Sequence, residues 1–136
     1  MEQLSGNTQD KRTSLSVGLV VYELLDVPGV REKVSQIYPV FAFKDAEAPF
    51  ICYRRVALPG EHTKKAVKDT AQIEVYIIAR TYEESVEIAE AVREALDGMS
   101  GQAECGLVLS RCWLVDADED LQDESFIQTL IFNLEI

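Results

Sequence analysis

Histidine, cysteine and basic side chains are scarce in this chain, and each scarcity closes off a class of chemistry. There is one histidine, His62, in 136 residues. A single imidazole with no positioned nucleophile is a poor foundation for acid–base or nucleophilic catalysis. The three cysteines, Cys52, Cys105 and Cys112, are odd in number and show no C-x-x-C spacing. They read as reduced, buried, small apolar residues of a cytoplasmic protein. Lys and Arg number 13 against 24 Asp and Glu, a formal net charge of −11. Affinity for a phosphate backbone comes mainly from Lys and Arg, so specific nucleic-acid binding is disfavoured. No apolar run reaches the ~18 residues of a membrane span. The opening residues, MEQLSGNTQDKR, lack the apolar stretch of a secretory signal. G-x-x-x-x-G-K-[ST], G-x-G-x-x-G and H-E-x-x-H are all absent. No catalytic residue, metal ligand or cofactor is therefore expected, and the chain does not read as an enzyme.

Hydrophobic residues make up 47% of the chain and charged ones 27%, enough apolar content for one soluble domain with its own core. Residues 1–12 read as a flexible N-terminal tail and 13–136 as the single domain. From Thr13 to about Asp26, TSLSVGLVVYELLD reads as a helix. Leu15, Leu19 and Tyr22 form one stripe, widened by Val20, Val21, Leu24 and Leu25. Pro28-Gly29 ends it, and VREKV adds a helical turn. SQIYPVFAF and FICYRRVAL read as strands forming a hairpin across the polar turn KDAEAP. PGEHTKKAVKD, Pro59 to Asp69, is a polar loop. In TAQIEVYIIAR, Ile73, Val75, Ile77 and Ala79 alternate with Gln72, Glu74, Tyr76 and Arg80. That is the period of a strand with one buried face.

This strand gives way to a helix within two residues, at RTYEES. Thr81 is placed as the N-cap, with Glu84 as its capping-box partner. Glu83 and Glu84 suit the positive end of the helix dipole. Tyr82, Val86, Ala89, Val92 and Leu96 form an apolar stripe beside Ile88 and Ala95. Glu83, Glu87, Glu90 and Glu94 lie towards water, and Gly98 suits the C′ position. CGLVLSRCWLV then reads as a strand with Leu107, Leu109, Trp113 and Val115 on one face. SFIQTLIFNLEI reads as the last strand, with Phe126, Leu130, Phe132, Leu134 and Ile136 on one side. DADEDLQDE connects the two. Asp116, Asp118 and Asp120 have the spacing of the first three EF-hand ligands. The sixth position is Leu121 rather than Gly and the twelfth is Ile127 rather than Glu, which favours a solvated acidic turn over a calcium site.

The order α, β, β, β, α, β, β with short joints indicates an α+β fold: a mainly antiparallel β-sheet with two α-helices packed on one face. Tyr76, Ile78, Ile127 and Ile131 leave the other face partly apolar. That face reads either as further core or as a subunit interface.

Four stretches resemble the tail-completion, or tail-terminator, family of long-tailed bacteriophages and prophages. YELLDVPGVREKVSQIYPV resembles the family's opening helix and short I-Y-P segment. APFICYRRV resembles its Pro-aromatic strand, and IEVYIIARTYEESVEIAEAVREALDG a strand running directly into the long helix. ESFIQTLIFNLEI resembles its closing strand. Together they span roughly Leu15 to Ile136. The likeness is a pattern of apolar positions and turns, not a catalytic signature. The polar N-terminus and the acidic Asp116–Glu124 connection depart from it. The resemblance implies a structural role: a ring, commonly of six subunits, that caps the growing tail tube and offers the surface joining a filled head. The implied partners are other copies of the chain, the tail-tube protein and a head-completion or connector protein, with no cofactor, no specific nucleic-acid binding and no membrane. The implied location is the bacterial host cytoplasm during assembly, then the tail or neck of the virion. Another neck or head-closure protein, and a small α+β ligand-binding regulatory domain, are the alternatives.

Two segments stand out as candidate contacts in such an assembly. His62, Lys64, Lys65 and Lys68 put four basic or potentially basic side chains into seven positions of an acidic chain. Their loop reads either as an arm docking on an acidic surface or as a solvated hairpin loop. Asp116, Asp118, Glu119, Asp120, Asp123 and Glu124 either approach the passage that the genome must traverse or form a solvated turn. With a charge of −11 on every subunit, ring closure meets self-repulsion. The isolated protein is expected to be monomeric or weakly associated and to form its ring on the tube end.

Overall fold

The computed structural model describes residues 12–62 and 67–136, with the backbone alone for 60–62 and 67–68. Apart from Arg12, the tail expected at residues 1–12 lies outside the described residues.

A 3-10 turn, Ser14–Ser16, comes first, with Thr13 Oγ1 accepting from the Leu15 N–H at 3.3 Å. It runs into helix α1, Val17–Leu25, followed by the single-turn helix α2, Pro28–Arg31. Pro28 opens α2 because a first-turn N–H needs no intrahelical partner. Arg31 ties the two helices together, with Nε donating to Asp26 Oδ1 at 2.7 Å and the guanidinium also bonding the Tyr22 hydroxyl. The stripe expected on this helix is corrected. Val17, Val20, Val21 and Leu25 are buried, while Leu15 and Leu19 are 68% and 48% exposed. VGLVVYELL is apolar on nearly every side, so its period does not select the face that meets the sheet.

The strands are β1 (Ile37–Pro39), β2 (Phe50–Ala57), β3 (Gly60–His62), β4 (Val67–Ala79), β5 (Gly101–Gln102), β6 (Val108–Leu109), β7 (Arg111–Gln122) and β8 (Ser125–Glu135). Helix α3, Tyr82–Leu96, lies between β4 and β5. The main sheet has the order β1-β2-β4-β8-β7, with β3 paired to the start of β4, and β5 and β6 form a small separate ribbon. The fold is α+β, with the helices on one face of a mainly antiparallel sheet. The exception is β1, which runs parallel to β2 and so replaces the expected hairpin. Extension stops at Pro39. Val40 takes a left-handed φ of 70°, where its N–H donates to Tyr53 O at 2.6 Å, and residues 40–49 carry the chain back to the start of β2.

The long central pair is β4 and β8, in register from Thr70↔Glu135 to Ala79↔Phe126. Ile73, Val75, Ile77 and Ala79 are fully buried, as the alternation requires, and Leu130, Phe132 and Leu134 face the same way from β8. Each such fully buried aliphatic or aromatic side chain contributes ~1.5–3 kcal/mol. Helix α3 closes this core with Ser85, Ile88, Val92 and Leu96. Tyr82, expected in the stripe, is half-exposed, and Ser85 takes the buried place.

The α3 cap is close to the expected one. Thr81 Oγ1 accepts from the Glu84 N–H at 3.1 Å. Glu84 reaches one residue further back than a capping box does: Oε1 accepts from the Arg80 N–H at 2.9 Å and Oε2 from Arg80 Nη2 at 3.0 Å. Gly98 ends the helix with φ 84° and donates its N–H to Cys112 O at 2.7 Å.

CGLVLSRCWLV is not one strand. Ser110 separates β6 from β7, and the register slips again between Leu114 and Asp116. Each slip changes which parity faces the core. Leu107 and Leu109 are buried as expected, but beyond Ser110 the core side holds Cys112 and Leu114, while Val115 is exposed. The acidic connection is also corrected. Asp116 to Gln122 form the second half of β7, paired with β8 residue by residue down to Gln122↔Ser125. Only Asp123 and Glu124 make the turn, both with positive φ, 49° and 66°, the geometry of a two-residue hairpin turn that matches strand twist. Acidic residues are depleted in strands, and pairing with the long apolar β8 overrides that preference.

Candidate assembly surfaces

No described element covers the sheet face opposite the helices. Tyr76 and Ile78 from β4 and Ile127 and Ile131 from β8 lie on it half-buried. The alternative of further core beneath this face is therefore not met by the described residues. At its β1 end, Tyr38 packs edge-on against Phe43 and Phe50 with ring centroids 5.7 Å apart in both pairs. Val40, Phe41 and Phe43 are about two-thirds exposed beside them. Near its β7 end the Arg111 guanidinium lies 4.2 Å from the Trp113 ring centroid, a cation–π contact.

The β1/β2 edge holds a cleft of about 530 Å³. Strand β1 pairs with β2 only as far as Tyr53. Beyond it, among the described residues, no strand pairs with Arg54–Ala57 on that side. Leu15, Leu19, Tyr22 and Val40 line the opening together with Arg54 and Arg55. The two arginines point to opposite faces. Arg54 stands on the outer face, opposite Glu74 and 3.6 Å from its carboxylate. Arg55 stands on the helix face, where Nη1 donates to Leu15 O at 3.2 Å.

The opposite edge is β7, and from Val115 to Gln122 it is exposed throughout. Alternation sorts the expected acidic residues. Asp116, Asp118 and Asp120 pair with Ile131, Thr129 and Ile127 and share the outer face, whereas Glu119 pairs with Gln128 on the helix face. Asp123 and Glu124 form the tip. Three aspartates along one strand do not wrap an ion as an EF-hand loop does. Among the described residues no group of His, Cys, Asp or Glu is arranged to hold a metal. Asp116 Oδ1 accepts from the Ala117 N–H and Asp120 Oδ1 from the Leu121 N–H. Glu119 accepts from the Tyr82 hydroxyl at 2.9 Å and from Gln128 Nε2 at 3.0 Å, while Gln128 Nε2 also donates to Ser85 Oγ. Sequence reasoning passed over Gln128. Its only signal was a polar residue at a core-parity position in SFIQTLIFNLEI.

The basic segment is only partly a loop. Gly60↔Asp69, Glu61↔Lys68 and His62↔Val67 are strand pairs, so His62 and Lys68 belong to a β-hairpin. Lys64 and Lys65 lie outside the described residues. Of the cysteines, Cys52 and Cys112 are buried, whereas Cys105 is only half-buried. Burial first, and then the Asp97 carboxylate, push the Cys112 thiol up to about 12. It therefore stays protonated and unreactive at neutral pH. No helix among the described residues is long and apolar enough to cross a membrane.

Among the described residues the sheet is covered on one face and open at two edges, a build that offers surfaces for neighbouring subunits. The profile described as "Tail completion protein gp17" matches residues 19–130, and the chain belongs to that family of phage tail proteins. A chain from a solved structure titled "Virion of native gene transfer agent (GTA) particle" has the same fold. Its TM-score is 0.72 at 14% identity, over 85% of this chain and 90% of that one. No curated protein matches the sequence.

Proposed function

We propose that the chain caps the end of a phage or prophage tail tube as a ring of its own copies and presents the surface that joins the tail to a filled head. The observation that carries this reading is the family match over residues 19–130. The bare sheet face and the two exposed edges support it, because they give each subunit separate surfaces for neighbours and for the tube. Six copies is the number the family resemblance suggests. The tail-tube protein and a head-completion or connector protein are the further partners. No cofactor or catalytic turnover is involved.

The tip of the β7–β8 hairpin, Asp123 and Glu124, suits a ring through which DNA must slide, since carboxylates beside the passage repel the phosphate backbone. The basic segment with His62, Lys64, Lys65 and Lys68 serves as a docking arm towards an acidic surface on the tube or a neighbour. The test is tail assembly without the chain. Tails should overrun their normal length and fail to join heads, and added protein should restore both. Tails of normal length that only fail to join heads would move the protein to another position in the neck. Normal tails joined to heads would end the proposal.

A further inference from the structure

The two edges of the main sheet carry opposite charge, with Arg54 and Arg55 at one and Asp116, Asp118, Glu119 and Asp120 at the other. At one edge, β2 runs past the end of β1 and leaves Arg54–Ala57 without a described strand partner on that side. At the other edge, β7 pairs with β8 alone among the described residues and exposes Val115–Gln122. Charged side chains on an edge strand discourage indiscriminate pairing. They also select a partner edge that carries the opposite charge.

We infer that β7 of one copy adds to the β1/β2 edge of the next copy, seating its acidic half in the cleft beyond Tyr53. This rests on the ring reading above and names the contact that would build the ring. The faces match. If the two sheets continue into one another, outer-face Arg54 of one copy meets outer-face Asp118 and Asp120 of the next. Helix-face Arg55 meets helix-face Glu119. Leu121, 57% exposed, lies on that same helix face opposite Phe126. It is positioned to enter the cleft lined by Leu15 and Leu19, which are likewise exposed. Strand addition supplies main-chain hydrogen bonds, with the Ala117 and Leu121 N–H groups exchanging their Asp116 and Asp120 acceptors for carbonyls of the next copy, and the side chains on each face set the register. The two edges lie at opposite ends of the sheet order, so the contact is head-to-tail. Such contacts close into rings when the rotation per subunit divides the circle. The same pairing offsets, at each joint, part of the repulsion between subunits of charge −11.

A charge-swap experiment tests this. Arg54→Glu alters one edge, and Asp118→Lys/Asp120→Lys alters the other. Glu119 is left intact because it belongs to the Gln128 network. Self-association is measured by sedimentation from dilute solution to the solubility limit, and occupancy of purified tube ends is scored for the same samples. Thermal midpoints confirm folding. Each swapped chain should associate about tenfold more weakly than wild type, or worse. An equimolar mixture should recover, because alternating copies then meet opposite charge at every joint. A chain carrying both swaps should recover as well. Wild-type assembly by either single-edge variant would overturn the contact while leaving tube capping intact. Failure of both variants without recovery in the mixture would overturn the pairing of these two edges. Tighter association after deletion of residues 2–11 would show that the cleft is filled by the chain's own N-terminus, and the inference would fall. A wild type that neither associates nor occupies tube ends would end the capping function and the contact together.

Discussion

Replacing Gln128 by glutamate changes almost no volume and reverses one interaction. Gln128 is buried on the core face of β8, and its amide nitrogen donates to Ser85 Oγ at 3.1 Å and Glu119 Oε2 at 3.0 Å. Glu119 also accepts from the Tyr82 hydroxyl, so an acceptor-only carboxylate fixes which way the amide points. In Gln128→Glu a second carboxyl faces the first. Two unit charges 3 Å apart repel by about 5 kcal/mol at an effective dielectric near 20. The introduced group can escape by remaining protonated. From an ordinary value near 4.3, that costs about 3.7 kcal/mol at pH 7, at 1.36 kcal/mol per unit. The cheaper route sets the ceiling, and solvent at the exposed end of Glu119 lowers the cost further, so a loss of about 2–4 kcal/mol is expected.

The introduced carboxyl has its folded pKa raised above its unfolded one. The deficit is therefore complete above the raised value, shrinks as pH falls, and vanishes below about pH 4. Urea unfolding at pH 7 and pH 4.5 measures this directly. Gln128→Leu is the control. Ser85 Oγ keeps its bond to Tyr82 O at 2.7 Å and Glu119 keeps the Tyr82 hydroxyl, so the loss should be about 1 kcal/mol and independent of pH. A Gln128→Glu chain with no deficit, or with the same deficit at both pH values, would refute the network.

Arg80 holds the Glu84 carboxyl below the usual carboxylate range, through its guanidinium first and then its backbone N–H. That contribution is complete above the ordinary carboxylate pKa and lost as pH falls through the lower folded value. Glu84→Gln should therefore lower the thermal midpoint at pH 7 and much less at about pH 2. Gly98 has φ 84° with open space where a Cβ would stand, so Gly98→Ala should destabilise by ~1–2 kcal/mol through backbone strain alone. A neutral result would place the chain end of α3 in another conformation. In gel shifts at moderate salt the protein should show no affinity for duplex DNA, and micromolar binding would contradict the acidic passage. Changing Lys64, Lys65 and Lys68 together to Glu should weaken tube capping while leaving the thermal midpoint nearly unchanged. Wild-type tail yield from that triple variant would remove the arm from the mechanism.

The local pattern of TAQIEVYIIARTYEESVEIAEAVREALDG determined its structure almost without help from the rest of the chain. Strict alternation, a Thr cap, a Glu-rich outer face and a terminal Gly all specify the same strand and helix. The same holds for the inward face of β8. The α+β class followed from the order of such elements. Where the pattern was apolar on all sides, as in α1, the sequence left the buried face open, and contact with the sheet decided it. Where a strand carries a bulge, as β7 does at Val115, parity beyond the bulge cannot be read from residue type, because one extra residue exchanges the two faces. The acidic strand and the parallel β1 are likewise products of pairing. Both depend on hydrogen bonds to a partner strand, β8 across the Asp123–Glu124 turn and β2 beyond residues 40–49, which outweigh weak local preferences. The candidate assembly edges are made by those same strand pairings. Arg54, Arg55 and the aspartates were visible as charges in the sequence, but only the register of β2, β4, β8 and β7 puts them on matched faces at opposite ends of one sheet.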